Sequence, residues 1–212
     1  MIFEDRVDAG ERLADVIADE SSPVAVVLGI PRGGVLVAVE VARRLGAPLD
    51  VVVPRKIGAP QNPELGIGAI APGVRVLDEG MIDRLGVGES YLDAEIARQE
   101  REIERRSAAY RGGREPVAVS GRSAIVVDDG VATGGTAVAA LRWAKSAGAR
   151  EVVLAVPVAP AAALPRLRRD ADRVVALATP EPFYAVGEWY RRFGQASDTD
   201  VVDALERAGA GR

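Results

Sequence analysis

The sequence predicts an α/β fold in which a parallel sheet is flanked by helices. Short, continuously apolar segments, such as residues 24–30 and 123–127, are typical of strands buried on both faces of a sheet. Segments with helical periodicity alternate with these strands, as in βαβ units with right-handed crossovers. The chain has 212 residues, enough for one domain with a sizeable core, so we expect residues 1–212 to form a single domain.

The first part of the chain follows this alternation closely. In chain order we predict a helix at 8–20, a strand at 24–30, a helix at 33–46 and a strand at 49–57. The first helix places Leu13, Val16 and Ile17 on one face. Gly46 is the expected stop of the second helix.

The alternation breaks at residues 58–113, which we predict to be an insertion. A loop rich in Gly and Pro leads into a β-hairpin around the sequence APGV at 71–74. A long charged helix follows at 90–113, with only a narrow apolar stripe formed by Leu92, Ile96, Ile103 and Tyr110. Such a helix lies on the surface or against a partner, so the sequence allows a homodimer.

Regular α/β order resumes after the insertion. In chain order we predict a strand at 123–127, a helix at 134–149, a strand at 151–158, a helix at 161–171 interrupted or started by Pro165, and a strand at 173–179. Residues 180–212 form a tail that is rich in aromatic residues and ends in a short helix at 198–208.

Composition excludes several function classes. The net charge of −4 gives no basic surplus for binding nucleic acid. The chain has no Cys and no His, which removes thiol nucleophiles, imidazole bases and the usual zinc sites. The acidic N-terminus is unlike a secretory signal, and the longest uncharged apolar run, 152–165, is too short to span a bilayer and contains three prolines. We therefore expect a cytoplasmic protein that binds neither membranes nor nucleic acid.

Two adjacent aspartates, Asp128 and Asp129, follow the strand at 123–127. Two such charges about 5 Å apart repel by about 3 kcal/mol at an effective dielectric constant of about 20. The pair makes sense if the ligand offers hydroxyl donors as well as a phosphate. Thr133 to Thr136, at the start of the next helix, can supply amides and hydroxyls to a phosphate. A ribose 5-phosphate has both groups, and a nearby Mg²⁺ would further stabilise the acids.

The segment VVDDGVATGGT at 126–136 resembles the signature of the type I phosphoribosyltransferases that binds 5-phosphoribosyl 1-pyrophosphate (PRPP). The resemblance implies that family's parallel sheet, with a small hood and a β-hairpin or flexible-loop insertion. It also implies Mg²⁺-dependent transfer of ribose 5-phosphate from PRPP to a nucleobase-like acceptor. The residues it assigns to PRPP are Asp128, Asp129, Gly130, Val131, Ala132, Thr133, Gly134, Gly135 and Thr136. Asp128 and Asp129 would be catalytic and would contact the metal indirectly, through PRPP and water.

Two further segments resemble the family's pyrophosphate site. The sequence GIPRGG at 29–34 resembles its pyrophosphate loop, which often contains a non-proline cis peptide, and offers Arg32, Gly33 and Gly34. Arg55 and Lys56 end the predicted strand at 49–57, where the family usually has a basic residue that meets pyrophosphate. Lys56 is the catalytic candidate among them, because a cation stabilises the departing pyrophosphate.

The acceptor end is the least defined part of the predicted site. In the family an aromatic residue near this point stacks on the base, and the resemblance implies that Phe183 or Tyr184 has this role. Packing in the core or the hood is the alternative role for each of these aromatic residues. Hypoxanthine–guanine enzymes usually have an Asp where this chain has Ala132, so a 6-oxopurine acceptor is not expected. Residues 58–68 occupy the place of a mobile catalytic loop, from which Asn62 and Glu64 would reach the substrate.

Two other functions are compatible with these residues. The chain could be a PRPP-binding regulatory protein of the same fold, and turnover with a panel of bases would distinguish the two. A hydrolase or phosphatase that uses the paired aspartates is the third possibility, although the chain has no His to assist it.

Overall fold

A computed structural model describes residues 1–18 and 25–210. The strands are β1 (Ala25–Gly29), β2 (Leu49–Val51), β3 (Arg55–Ala59), β4 (Asn62–Ala71), β5 (Val74–Leu77), β6 (Ser123–Val127), β7 (Glu151–Val158) and β8 (Arg173–Ala178). The α-helices are α1 (Arg6–Ala18), α2 (Gly33–Leu45), α3 (Glu79–Leu85), α4 (Glu89–Arg111), α5 (Gly135–Ser146), α6 (Leu164–Asp170) and α7 (Asp198–Ala210).

Five strands form a parallel sheet in the order β2-β1-β6-β7-β8, which confirms the predicted fold class. Side chains alternate between its two faces. Val27, Ile125 and Val153 pack with α1 and α2 on one face, while Leu28 and Val126 pack with α5 on the other. Because helices cover both faces, these strands are continuously apolar. The strand order reverses between β1 and β6, and open α/β sheets bind ligands at such a position.

The prediction of a single strand at 49–57 is wrong. Its first part is β2 of the parallel sheet, and its last part is β3 of a separate antiparallel sheet in the order β3-β4-β5. Pro54 lies between them and cannot donate to a strand ladder. The hairpin around 71–74 is confirmed, with its turn at Gly73 (φ 70°). Residues 58–68, predicted to be a loop, instead form the β3–β4 hairpin.

The long charged helix is confirmed as α4, and its apolar stripe is buried within the chain. Ile96, Ile103 and Tyr110 pack with the antiparallel sheet and with α7. The stripe therefore needs no second subunit to cover it, and the homodimer stays a prediction. The tyrosine hydroxyl donates a hydrogen bond of 2.7 Å to Asp198 at the start of α7.

Three smaller differences concern the helices. Helix α1 buries Leu13 and Ile17, but Val16 is 43% exposed, because the buried face follows i, i+4 spacing. The short α3 was not predicted. A 3₁₀ turn precedes α6, and Pro165 lies in the first turn of that helix, as expected. The ends of two predicted elements, residues 19–20 of the first helix and residue 24 of the first strand, lie outside the described residues.

Within the described residues, every helix is too short or too polar to cross a lipid bilayer.

Candidate active site

The carboxyl ends of β1 and β6 bring two loops together at the point where the strand order reverses. Gly29 and Val127 are paired in register, and the amide of Ile30 donates to the carbonyl of Val127 at 2.8 Å. The loop after β1 therefore lies against the acid pair that follows β6. The peptide bond between Pro31 and Arg32 in this loop is cis.

Asp128 and Asp129 have different environments although they are adjacent. Asp128 Oδ1 accepts a hydrogen bond of 2.9 Å from the amide of Asp129. Burial raises the pKa of Asp128 well above its ordinary value, and the neighbouring charge of Asp129 raises it further. Asp128 therefore holds its proton to a higher pH than an exposed aspartate does.

Asp129 has a cation as its partner, which partly offsets the repulsion between the two acids. Arg6 Nε donates to Asp129 Oδ2 at 2.8 Å, and Arg6 Nη2 lies 2.8 Å from the same oxygen. Both side chains are largely buried, at 12% and 17% exposure. Only Oδ2 is used in these contacts, so Oδ1 remains able to accept from a ligand.

The pair lies directly against two glycines at the start of α2. A Cβ atom at Gly33 would be 1.8 Å from Asp129 Oδ2, and a Cβ at Gly34 would be 2.7 Å from Asp128 Cα. Any larger residue at either position would displace the acids or the helix. The predicted pyrophosphate loop and the acid pair are therefore packed as one unit.

The loop after the acids leads into the N-terminus of α5, as predicted. Gly134 has a φ of 82°, a left-handed conformation that glycine adopts without strain, and α5 begins at Gly135. The first N–H groups of a helix have no partner within the helix. Thr133 is exposed and Thr136 is partly buried, and neither hydroxyl bonds to another described residue. Residues 133–136 thus offer free donors at a helix N-terminus, the arrangement that suits a phosphate.

The N-terminal segment and the tail that follows β8 meet beside the acid pair. Phe3 and Tyr190 form an isolated parallel bridge, and their rings lie 5.4 Å apart. The hydroxyl of Tyr190 donates to the backbone carbonyl of Asp129. Burial and the charge of Asp129 raise the pKa of Tyr190, so this hydroxyl remains a donor. The terminal segments therefore hold the acid pair in place through Arg6 and Tyr190.

Of the predicted pyrophosphate residues, Arg32, Gly33 and Gly34 lie at this site, but Arg55 and Lys56 do not contact the acids within the described residues. Successive residues of a strand point to opposite faces, so these two cannot share one direction. Arg55 Nε donates to Gln99 of α4 at 2.8 Å, and burial lowers the pKa of Arg55.

Lys56 lies on the β3–β4 hairpin with the two residues predicted to reach the substrate. Its Nζ is 3.0 Å from Glu64 Oε2 and 2.9 Å from the Glu64 carbonyl. Asn62 Oδ1 accepts from the amide of Glu64 at 3.1 Å. The predicted loop residues therefore hold one another on an exposed hairpin.

The predicted acceptor residues follow a cis peptide bond between Glu181 and Pro182. Phe183 is partly buried, and Tyr184 is 78% exposed. A nearer contact comes from Val186, because a Cβ at Gly130 would lie 2.4 Å from its Cγ1. The tail therefore contacts Gly130, in the loop after the acid pair, through Val186, which lies two to three residues after the predicted aromatic positions.

Sequence reasoning missed Arg6, and for the aromatic cluster from Phe183 to Phe193 it offered either stacking on the acceptor or packing in the core or hood. Phe193 instead lies beside Arg6, with the guanidinium carbon 4.1 Å from the ring centroid. Arg6 and Asp129 are 123 residues apart, and no local motif marks the arginine. The aromatic composition of the tail was the only signal for Tyr190 and Phe193.

Comparisons with known proteins match the chain over most of its length. A model of the phosphoribosyl transferase domain matches residues 3–186. Rv0571c and MT0597, from two strains of Mycobacterium tuberculosis, are each 50% identical over 208 residues, and both are provisionally named phosphoribosyl transferases. The alignments cover 98% of this chain and 47% of theirs, so the chain spans about half the length of these curated relatives.

A solved structure is similar over both chains. The crystal structure of TT1426 from Thermus thermophilus shares 47% sequence identity and a TM-score of 0.83, and the match covers 98% of this chain and 99% of that one. The segment matched by the domain model includes the loop after β1, the acid pair and the loop that follows it.

Proposed function

The chain belongs to the phosphoribosyl transferase domain family, and from that premise we propose that it transfers ribose 5-phosphate from PRPP to a nitrogen heterocycle and releases pyrophosphate. One observation carries the proposal. The acid pair lies between a helix N-terminus with free donors and a loop that carries the cation Arg32. The helix N-terminus, the acid pair and the loop with Arg32 thus lie in the same order as the 5-phosphate, the ribose and the pyrophosphate of PRPP.

Each part of PRPP has a complementary group. The 5-phosphate accepts hydrogen bonds from amides and hydroxyls of residues 130–136, at the N-terminus of α5. The ribose hydroxyls donate to Asp128 and to Asp129 Oδ1, which Arg6 leaves open. Gly33 and Gly34 offer backbone amides to the pyrophosphate, and Arg32 supplies positive charge.

The reaction exchanges one bond at C1 of the ribose for another. The bond between C1 and the pyrophosphate oxygen breaks, and its electron pair leaves with the pyrophosphate. The lone pair of the acceptor nitrogen forms the new bond, and the proton of an acceptor N–H passes to the pyrophosphate or to water. The sugar becomes oxocarbenium-like as the bond breaks, so nearby carboxylates stabilise it while Arg32 stabilises the charge on the leaving group.

The donor set fits a Mg²⁺ ion that is held mainly by the substrate. Among residues 1–18 and 25–210, no three acidic side chains converge on one point to form a metal cage. Mg²⁺ usually keeps several waters and binds one or two carboxylates together with substrate phosphates. Asp128 and Asp129 would contact it through PRPP and water. When bound, the metal would neutralise part of the pyrophosphate charge.

For the acceptor we propose a planar nitrogen heterocycle, with hypoxanthine and guanine as poor substrates. Ala132 offers no carboxylate to a 6-oxopurine, and the chain has no His to replace one. Steady-state assays of pyrophosphate release with adenine, uracil, orotate, hypoxanthine and guanine test this. Efficient turnover of hypoxanthine or guanine would contradict the proposal for the acceptor. PRPP binding without turnover of any base would favour an unusual acceptor or a regulatory protein.

Calorimetric titration with PRPP, with and without Mg²⁺, tests the proposal itself. We expect binding that Mg²⁺ strengthens and that the double substitution of Asp128→Asn with Asp129→Asn weakens at least tenfold. Asp93→Asn, at an exposed position of α4, is the matched control and should bind as the wild type does. Absence of PRPP binding under both conditions would refute the proposed function.

A further inference from the structure

A cavity of about 380 Å³ lies beside the acid pair, and two arginines line it. Arg6 comes from the first turn of α1 and Arg32 from the loop after β1, and Gly33, Phe193 and Gln195 complete much of the wall. No acidic residue lines the cavity within the described part of the chain. Its size is suitable for a small ligand, and its charge selects an anionic one.

Arg6 is held rigidly at the edge of this cavity. Nε and Nη2 contact Asp129 Oδ2, and Nη1 donates to the carbonyl of Gly194 at 2.8 Å. The Phe193 ring lies over the guanidinium at 4.1 Å. A guanidinium has five N–H groups, so these contacts leave some of them free to donate to a ligand.

Arg32 differs from Arg6 in having no fixed partner among the residues that the structure describes. Its side chain is partly buried, and no hydrogen bond or ion pair joins its guanidinium to another described residue. A partly buried cation without a counter-ion is unfavourable, so an anion that enters the cavity would be stabilised by it. Arg6 adds a second cation on the same wall, already oriented.

Phe193 is better suited to hold Arg6 than to receive a base. Its ring is in contact with the Arg6 guanidinium and lies 4.9 Å from the ring of Tyr190. A Cβ at Gly187 would come within 2.9 Å of it, so the backbone also packs closely there. The cavity therefore favours an oxyanion over a stacked heterocycle.

From this geometry we infer that Arg6 binds the pyrophosphate group of PRPP together with Arg32, a role that rests on the proposed function. Asp129 then serves two ends of the substrate. Its Oδ1 accepts from the ribose, and its Oδ2 orients Arg6 toward the leaving group. The cation from α1 thereby stabilises charge on the pyrophosphate as the bond to C1 breaks. The sequence motifs that carry the family resemblance do not include this residue.

Two probes separate a direct contact from an effect through Asp129. Inorganic pyrophosphate contains only the leaving group, and ribose 5-phosphate contains only the other end of PRPP. Calorimetry with each probe, at one Mg²⁺ concentration, compares the wild type with Arg6→Gln and Arg32→Gln. Arg32→Gln should bind pyrophosphate about 10- to 100-fold more weakly, as expected for one lost charge-assisted contact, and ribose 5-phosphate within about threefold of the wild type. Arg6→Gln should lose at least as much pyrophosphate affinity, and its ribose 5-phosphate affinity should fall by a smaller factor, because Arg6 also holds Asp129 in place. An equal loss for both probes in Arg6→Gln would mean that Arg6 acts only through Asp129 and would overturn the inference.

Arg12→Gln is the matched control. Arg12 also lies on α1, pairs with Asp8 at 2.8 Å and lies 5.7 Å from the centroid of the Phe3 ring, but it does not line the cavity. Its variant should bind both probes as the wild type does. Phe193→Leu keeps the charge of Arg6 but removes the ring that orients it, and it should weaken pyrophosphate binding about three- to tenfold.

The binding results distinguish failure of the inference about Arg6 from failure of the proposed function. Unchanged pyrophosphate affinity in both the Arg6 and the Phe193 variants would overturn the inference, as would a loss confined to ribose 5-phosphate. A wild-type protein that binds PRPP but not pyrophosphate would also overturn it, while the proposed function would survive. A wild-type protein that binds none of the three ligands, PRPP, pyrophosphate and ribose 5-phosphate, would refute both the inference and the proposed function.

Discussion

Replacement of Gly33 by alanine tests whether the two loops work as one packed unit. The new Cβ would lie 1.8 Å from Asp129 Oδ2 and 2.7 Å from Arg6 Nε, whereas Cβ atoms in proteins keep at least 3.0 Å from such atoms. The carboxylate must therefore move by about 1 Å or more, because contacts this short are strongly repulsive. The movement pulls Asp129 away from Arg6 and from the position proposed for the ribose.

The expected cost follows from the contacts that are lost. A charge-assisted hydrogen bond between largely buried groups contributes about 1.5–3 kcal/mol. Alanine in a helix gains up to about 1 kcal/mol over glycine, which offsets part of this cost. We expect Gly33→Ala to lower the free energy of unfolding by about 1–2 kcal/mol and to weaken PRPP binding more than tenfold.

Urea unfolding and calorimetry measure the two effects, and Gly80→Ala is the matched control. Gly80 also lies in a helix, but the nearest atom to its Cβ position is 3.7 Å away. This control should be as stable as the wild type or slightly more stable, with unchanged PRPP affinity. A Gly33→Ala protein with wild-type stability and PRPP affinity would refute the packing argument.

Three further predictions concern stability. Asp128→Asn should become progressively more stable than the wild type as the pH rises from about 4. The reason is that the raised pKa of Asp128 makes its ionisation in the folded state unfavourable. A difference in the free energy of urea unfolding that does not change with pH would contradict this. Leu13→Ala should cost about 2–5 kcal/mol and Val16→Ala less than about 0.5 kcal/mol, since only the leucine is buried; equal losses in melting experiments would mean that the face of α1 is misassigned. Tyr110→Phe should cost about 1 kcal/mol through the lost hydrogen bond to α7, and the exposed Tyr184→Phe almost nothing. Burial raises the pKa of Tyr110 to about 12, so absorbance titration should also show a tyrosine signal at high pH that Tyr110→Phe lacks.

The parts of the fold that could be predicted depend on local signals. The path from β6 through Asp128 to α5 combines a buried strand, a left-handed glycine and a helix start, and each of these has a local cause. The loop at Arg32 was predictable for the same reason. The break between β2 and β3 also had a local signal, because Pro54 interrupts the run of strand residues.

The remaining parts depend on contacts between distant segments. Arg6 contacts Asp129 from an N-terminal segment that also pairs, at Phe3, with Tyr190 near the other end of the chain. No periodicity or spacing encodes such a contact. Arg55 shows a different limit of sequence-based prediction. Strand geometry alone indicates that Arg55 and Lys56 point to opposite faces. Which of the two turns away from the acid pair is visible only in the structure, where Arg55 contacts Gln99.

A crystal structure of the protein with PRPP and Mg²⁺ tests the central claim most directly. The proposed function predicts the 5-phosphate within hydrogen-bond distance of the amide nitrogens of residues 133–136, and the ribose hydroxyls on Asp128 and Asp129. It also predicts the pyrophosphate beside Arg32, and the further inference adds Arg6 to that contact. A PRPP molecule whose 5-phosphate lies away from residues 133–136, or whose ribose does not contact either aspartate, would contradict the proposed function.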